Sequence, residues 1–345
     1  MKLPKVTVGV IVFKETKYLP WSLTSLLDQD YSDVEYIIRD HSPNGEVFHW
    51  LKENHPDIFQ RATVSIEDNG AMHSGGHNAM IRQMLEAGRE IYFCVSNDML
   101  YPSNFVSQII QTMQEEKTHV ATCKLMRWDF EKAQAGDVEK SKTDYVDSFG
   151  IGLTKGHKFF DQGQGILESQ FHFDHKILGP SGAVAVFDRV ALESIAYKNK
   201  NGKIEYFDEN LYYKNDCDLS YRLSWAGFKC SVANVKVYHD RQLGEKSRGA
   251  LQRLKDHHQK VAWAKESSLF GHLVALKKNF DSRYSFGVQF RTALSLMARY
   301  FYTLLFARKM LTVYKKVKAL QPEIDDRKKQ MKKVISPREM EKLMT

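Results

Sequence analysis

The chain of 345 residues lacks the marks of a membrane-spanning, secreted or disulfide-built protein. No run approaches the roughly 18–20 consecutive apolar residues of a transmembrane helix. The N-terminus passes directly into a strand-like pattern at residues 6–12, with no apolar leader ending at a small-residue cleavage site, so secretion is not expected. The four cysteines, Cys94, Cys123, Cys217 and Cys230, show no Cys-x-x-Cys spacing. That argues against a zinc site and for reduced thiols in or near the core. Acidic residues are scarce at one end: from Gly271 onward there are 17 Lys/Arg against 6 Asp/Glu, whereas the first 270 residues carry 33 against 36. The overall charge of +8 therefore belongs to the C-terminal part. Such a tail suits nucleic acid, anionic lipid or an acidic polymer, and charge alone does not choose among them.

The apolar and charged fractions, 43% and 27%, are those of a soluble globular chain long enough for one large domain or two smaller ones. The 20 Phe and 16 Tyr point to lined pockets or an interface. Residues 5–13 form a near-continuous β-branched run, the pattern of a strand buried on both faces. A helix over 19–28 follows, with Pro20 in its first turn. Further strands are expected at 34–39, 62–66 and 91–95, with helices at 46–54 and from Gly75 to Ala87. This alternation predicts a mostly parallel sheet with helices on both faces. Ligands of such sheets sit beyond the carboxyl ends of the strands. Asp40 and Asp98 both fall at such ends. Residues 130–176 are polar and Gly-rich and read as a long excursion over the cleft. A strand returns at 178–187, and the small residues Ser181, Gly182 and Ala183 either admit a ligand close to the backbone or make a tight approach to that strand.

The most informative constellation is Asp216, Cys217 and Asp218 beside an expected helix start, followed by His239 on the next apolar strand. Paired acids and a strand-end histidine can supply a proton acceptor and a metal ligand to one cleft. With Asp98 they suit a divalent cation that neutralises a leaving phosphate.

Several ordered motifs over residues 5–240 resemble the family 2 glycosyltransferases of the GT-A fold, in particular the bacterial rhamnosyltransferase-like branch that builds surface polysaccharides. Asp40 to Gly45 is similar to that family's Asp-Asn-x-Ser-x-Asp-Gly turn. Gly75, Gly76, His77 and Asn78 resemble its Gly-Gly-Asn-Asn loop. Ser96, Asn97 and Asp98 stand where it carries its metal motif. Phe207, Asp208 and Glu209, then Asp216 to Arg222, Gly227 and Val237 to His239, follow its closing series in order and spacing. The chain departs from the pattern at Asn215, which replaces a Glu, at Ser96, at His73 and His77, and at an extra residue within 69–73.

The resemblance implies an α/β GT-A fold over 1–245 and a helical extension over 246–345. It implies inverting, metal-dependent transfer of rhamnose or a hexose from a dTDP- or UDP-sugar to a hydroxyl of a growing, lipid-linked surface glycan. Asp216 is then the catalytic base and Asp218 the supporting acid or a helix cap. Asp40, Gly76, Asn78, Asn97 and Asp98 bind the donor, with Asp40 reading the base. Asp98 and His239 hold Mn²⁺ or Mg²⁺, and Ser181 and Gly182 face the acceptor. The alternative is a non-catalytic nucleotide- or polysaccharide-binding protein on the same fold.

Two helices are expected after His239, at 249–266 and 286–318. The most apolar part of the second, 293–306, is too short to span a bilayer. It suits either an interfacial helix on the cytoplasmic face of the inner membrane or a contact with the catalytic domain or a second copy. No nucleic-acid motif accompanies the basic charge, so a nucleic-acid partner is not expected.

Overall fold

The computed structural model describes residues 3–67, 72–174, 176–241 and 262–345. The expected helix at 249–266 and the expected boundary at 245/246 fall largely on residues outside that set.

The apolar runs become the strands of one twisted sheet: β1 (Val6–Val12), β2 (Val34–Asp40), β3 (Thr63–Ile66), β4 (Ile91–Val95), β5 (Met99–Leu100), β6 (Val120–Trp128), β7 (Lys142–Ser148), β10 (Val184–Asp188) and β13 (Cys230–His239). Their order is β3-β2-β1-β4-β10-β6-β13-β5, with β7 added beside β6. The β1–β2, β2–β3, β1–β4 and β6–β13 pairs are parallel, and β10 runs antiparallel between β4 and β6. The mostly parallel α/β architecture expected from the sequence is therefore present. Strand alternation explains the β-branched runs: Val6, Val8, Val10 and Val12 enter one core cluster, while Tyr92, Cys94 and Phe187 point to the opposite face.

The first helices, α1 (Leu19–Leu27), α2 (Glu46–Asn54) and α3 (Ile58–Arg61), connect the parallel strands. The next, α4 (Met72–Glu86), starts three residues earlier than the glycine pair suggested. Gly75 and Gly76 lie inside it, because a Cβ at Gly76 would come within 2.6 Å of the His41 ring. The glycines mark close packing here, not the start of the helix. After α5 (Phe105–Glu116), the Gly-rich stretch 130–176 contains α6 (Phe130–Gln134), α7 (Val138–Ser141), β7 and a hairpin of β8 (Ile151–Leu153) and β9 (Phe159–Asp161). Helix α8 (Arg189–Ile195) follows β10, and the short pair β11 (Tyr197–Lys198) and β12 (Ile204–Glu205) precedes α9 (Asn215–Trp225).

Among the described residues, five α-helices follow β13: α10 (Ala262–Asn279), α11 (Phe286–Phe306), α12 (Leu311–Ala319), α13 (Gln321–Gln330) and α14 (Pro337–Lys342). The expected single helix over 286–318 is two, broken at Ala307, whose φ of −142° is far from helical. These helices share a core with the first part of the chain. Tyr221 and Trp225 pack with Ala275, Tyr284, Val288 and Met340. At Gly271 the backbone of α10 passes so near the chain that a Cβ would lie 2.0 Å from the Tyr213 carbonyl oxygen.

A buried ion network locks the two parts together. Lys278 Nζ donates to Asp208 Oδ2 and to Asp218 Oδ2, each at 2.7 Å. Arg222 Nε donates to Asp218 at 3.0 Å, and Asn279 Nδ2 to Asp218 Oδ1 at 2.8 Å. Arg327 binds Asp208 and, at 2.9 Å, Glu205. Three acids face three bases, all buried. Burial opposes the ionised form of Asp208, yet Lys278 and Arg327 hold its carboxyl well below the usual carboxylate range. Removing one partner strands a buried charge, so Lys278→Met is expected to cost about 3–5 kcal/mol in urea unfolding. A loss within about 0.5 kcal/mol, the scale of a surface substitution, would show the network to be dispensable.

Candidate active site

Helix α9 delivers Asp216. Its start is fixed by Lys214, whose φ of 67° turns the chain, and by Asn215. The Asn215 Oδ1 accepts the Asp216 N–H at 2.8 Å, and its Nδ2 donates to His73 Nδ1 at 3.0 Å and to Ser74 Oγ at 3.2 Å. The residue that departs from the family pattern thus ties α9 to the start of α4. Asp216 Oδ2 accepts the Gly182 N–H at 3.3 Å, and Oδ1 accepts the Cys217 N–H at 2.8 Å. Asp216 lies in the first turn of α9 and borders the cleft.

The cleft encloses about 850 Å³ and is lined by Asp216, His239, Ser96, Ser181 and Gly182 among others. Ser181 to Ala183 both enters β10 tightly and borders this space, so the two readings of that stretch coincide. The β8–β9 hairpin and the residues after it form the opposite wall through Lys158, Phe160, Asp161 and Gln162. The excursion therefore does lie over the cleft.

Short strand β5 pairs antiparallel with the end of β13, placing Met99 opposite His239. Asp98 Oδ2 lies 3.4 Å from His239 Nε2, and Asp98 is partly exposed. The other ring nitrogen, Nδ1, lies 2.8 Å from Asp147 Oδ2, and Asp147 is fully buried. A carboxylate behind a histidine fixes the ring's orientation and raises its basicity. Asp147 also holds Arg241 at 2.7 Å, which reaches Asp161 at 2.8 Å. Arg241, Lys214, Lys158 and Lys265 all border the cleft and give it a cationic wall.

Set against known proteins, this arrangement has a family. The sequence pattern of glycosyl transferase family 2 matches residues 7–195, more than half of the chain. The chain belongs to that family.

No curated protein matches the chain in sequence. The structure is similar to that of GalNAc-T7 with UDP, GalNAc and Mn²⁺, with a TM-score of 0.54 at 10% identity over 81% of this chain and 49% of the other. That likeness supports the GT-A fold. It also aligns with TarS of S. aureus (TM-score 0.49, 15% identity, 92% and 55% coverage) and with the mannosyltransferase PcManGT of Pyrobaculum calidifontis in complex with GDP-Man and Mn²⁺ (0.42, 16%, 95% and 84%). The chain spans about half the length of TarS.

In this family 2 chain, several expected site residues are also tied into the scaffold. Asp218 points away from Asp216. Two residues apart on a helix is about 200° around its axis, so Asp218 faces the interior and the ion network. Asp40 is fully buried and its oxygens accept the N–H groups of Ser42 and Phe48, each at 2.8 Å. It closes the turn after β2. Asn78 is equally buried, with its amide bonded to Tyr206, Phe207 and Glu209. Gly76 packs on His41 inside α4. Neither lines the cleft. Asn97 is half-buried in the β4–β5 loop, where Ser96 borders the cleft.

Sequence reading missed Asp147, Asp161, Lys214 and Arg241. Arg241 was accessible, since it follows His239 by two residues and strand alternation puts such positions on one face. Asp147 and Asp161 lie in the stretch without periodicity.

The Asp98–His239 pair fits a resident divalent cation. It offers a carboxylate and an imidazole oriented by Asp147. A second cluster does not fit Mn²⁺ or Mg²⁺. His73, His77 and Cys94 bring ligand atoms within 4.8 Å of one another. Their donors are nitrogen and sulfur, and His77 already engages Tyr92 at 2.7 Å and Cys94 at 3.3 Å. Burial pushes His73 down to about 4 and His77 well below its ordinary value, so both rings are neutral core groups.

For His239, burial disfavours the charged ring, but Asp98 and Asp147 overcome it and raise the pKa to about 10. Below that pH the ring must lose a proton to bind a cation. Mn²⁺ affinity, followed by the EPR signal of the free ion, should therefore rise about tenfold per pH unit between neutrality and that value. An affinity independent of pH, or unchanged in His239→Asn, would remove His239 from the site.

Proposed function

We propose that the chain is an inverting glycosyltransferase. It moves rhamnose or a hexose from a dTDP- or UDP-sugar to a hydroxyl of a growing surface glycan carried on a lipid. The reading is supported above all by one juxtaposition in a family 2 chain: Asp216 and His239 line a single cleft, and Asp98 lies 3.4 Å from His239. The acceptor hydroxyl attacks the anomeric carbon, the carbon–oxygen bond to the diphosphate breaks, and the nucleoside diphosphate departs with the bonding pair. Asp216 takes the hydroxyl proton. Such help is worth about 10²–10⁴-fold. Gly182 and Cys217 hold the carboxylate in place through their N–H groups.

Asp98 and His239 would hold Mn²⁺ or Mg²⁺. The cation, when bound, neutralises charge on the leaving diphosphate. Lys214 and Arg241 add fixed positive charge on the same side. Arg241 is kept in position by Asp147 and Asp161. Ser181 and Gly182 border the acceptor side of Asp216. The reaction is proposed to take place at the cytoplasmic face of the inner membrane, where a lipid-linked acceptor is met.

The test is a donor screen of dTDP-rhamnose, UDP-hexoses and UDP-N-acetylhexosamines with Mn²⁺, scoring acceptor-dependent release of nucleotide. One donor should give turnover, and chelation should remove it. Asp216→Asn should lower kcat about 10²–10⁴-fold while nucleotide affinity stays near that of the parent. Nucleotide binding without sugar transfer from any donor would favour a binding protein on the same fold. Near-normal kcat in Asp216→Asn would reassign the base.

A further inference from the structure

Helix α11 has one face that the described residues leave bare. Phe286, Phe290, Leu294, Met297, Phe301 and Leu305 recur at spacings of four, four, three, four and four, and every one is exposed, Phe286 by 82% and Leu305 by 62%. The opposite face is satisfied. Val288 enters a core cluster, Thr292 bonds His157 at 2.7 Å, and Thr303 is buried. A stripe this long, on a helix buried along its far side, marks a docking surface.

Charge identifies the occupant. Residues 282–320, which contain α11 and α12, hold eight Lys/Arg and no Asp or Glu. A second copy seated on this face would set two such segments against each other. An anionic bilayer surface meets the same charge favourably, and the interfacial zone accepts aromatic and aliphatic side chains. The 21-residue helix is about 31 Å long, yet it carries Arg291 and Arg299. Among the described residues no helix is long and apolar enough to cross a membrane. Such a helix lies in the plane of the interface.

The stripe is also placed to serve the cleft. His157, at the turn of the β8–β9 hairpin, bonds Thr292 of α11 through Nδ1 and Tyr221 of α9 through Nε2 at 2.9 Å. Thr154 and Lys158 of the same turn border the cleft. We propose that α11 docks flat on an anionic lipid bilayer, its apolar face inserted at headgroup level, and so presents the cleft to a lipid-linked acceptor. The acceptor part of this statement rests on the proposed glycosyl transfer; the docking part does not.

The test uses the full chain in flotation with vesicles of phosphatidylcholine alone and of phosphatidylcholine mixed with phosphatidylglycerol. The parent should float with the anionic vesicles and lose the association at high salt. Phe290→Ser with Phe301→Ser should weaken partitioning on the order of tenfold per aromatic. Arg291→Gln should weaken it about fivefold, and only on anionic vesicles. Nucleotide release with a soluble acceptor should be unchanged in both variants. That readout separates failure of docking from failure of the transferase reading. Unchanged flotation of the double serine variant would overturn the proposal. So would a parent that ignores vesicles and sediments as a dimer dispersed by the same substitutions, which would assign the face to a second copy.

Discussion

Lys278 carries its ammonium group into the interior, where it is tolerated because Asp208 and Asp218 each accept from it at 2.7 Å. Those acids sit on the segment before α9 and on α9 itself, while Lys278 and Arg327 come from the C-terminal helices. The direction in which Asp216 points therefore depends on residues some sixty positions downstream. A buried ion pair adds little net stability over an apolar core, but an unpaired member is costly. The constraint is one of specificity: α9 has a single seating in which all six charges are matched. Asn215 and Lys214 then set the first turn, and Asp216 emerges beside Gly182.

Two kinds of acid follow from this. Asp208 and Asp218 are spent on the scaffold, held by buried cations, and Asp40 is buried against two backbone N–H groups. Asp216 lines the cleft, and Asp98 is partly exposed beside His239, which lines it too. Between them stands a relay of charge from Asp98 through His239 and Asp147 to Arg241 and Asp161. It fixes a potential ligand and a cationic side chain with the same buried carboxylate. A family motif thus mixes residues that meet substrate with residues that hold the others still.

The alternating strands and helices of the first hundred residues were legible because period-2 and period-3.6 patterns report which faces are buried. The positions of Asp216 at the start of a helix and of Asp98 and His239 near strand ends were legible. The seating of Asp218 in the ion network was not, because residues close in sequence lie on opposite sides of a helix. The backbone contacts of Asp40 and Asn78 were not legible either, because a polar residue at a strand end or loop looks the same whether it binds a ligand or a backbone. Asp147 and Asp161 could not be found, since antiparallel pairing and a hairpin bring them to the site from a stretch without periodicity. The closeness of the C-terminal helices to the first part of the chain was hidden for a similar reason. Charge composition separated the two parts, whereas Lys278, Gly271 and Trp225 join them.

The claim that carries most weight is that α9 and the C-terminal helices form one cooperative unit. Native-state hydrogen exchange tests it directly, by comparing opening free energies for amides of α9 and of α10. The two helices should open together, with protection that falls by equal amounts when Asp218 is replaced by Asn. If α10 opens at much lower free energy while α9 keeps full protection, the network does not hold the site and the account is wrong.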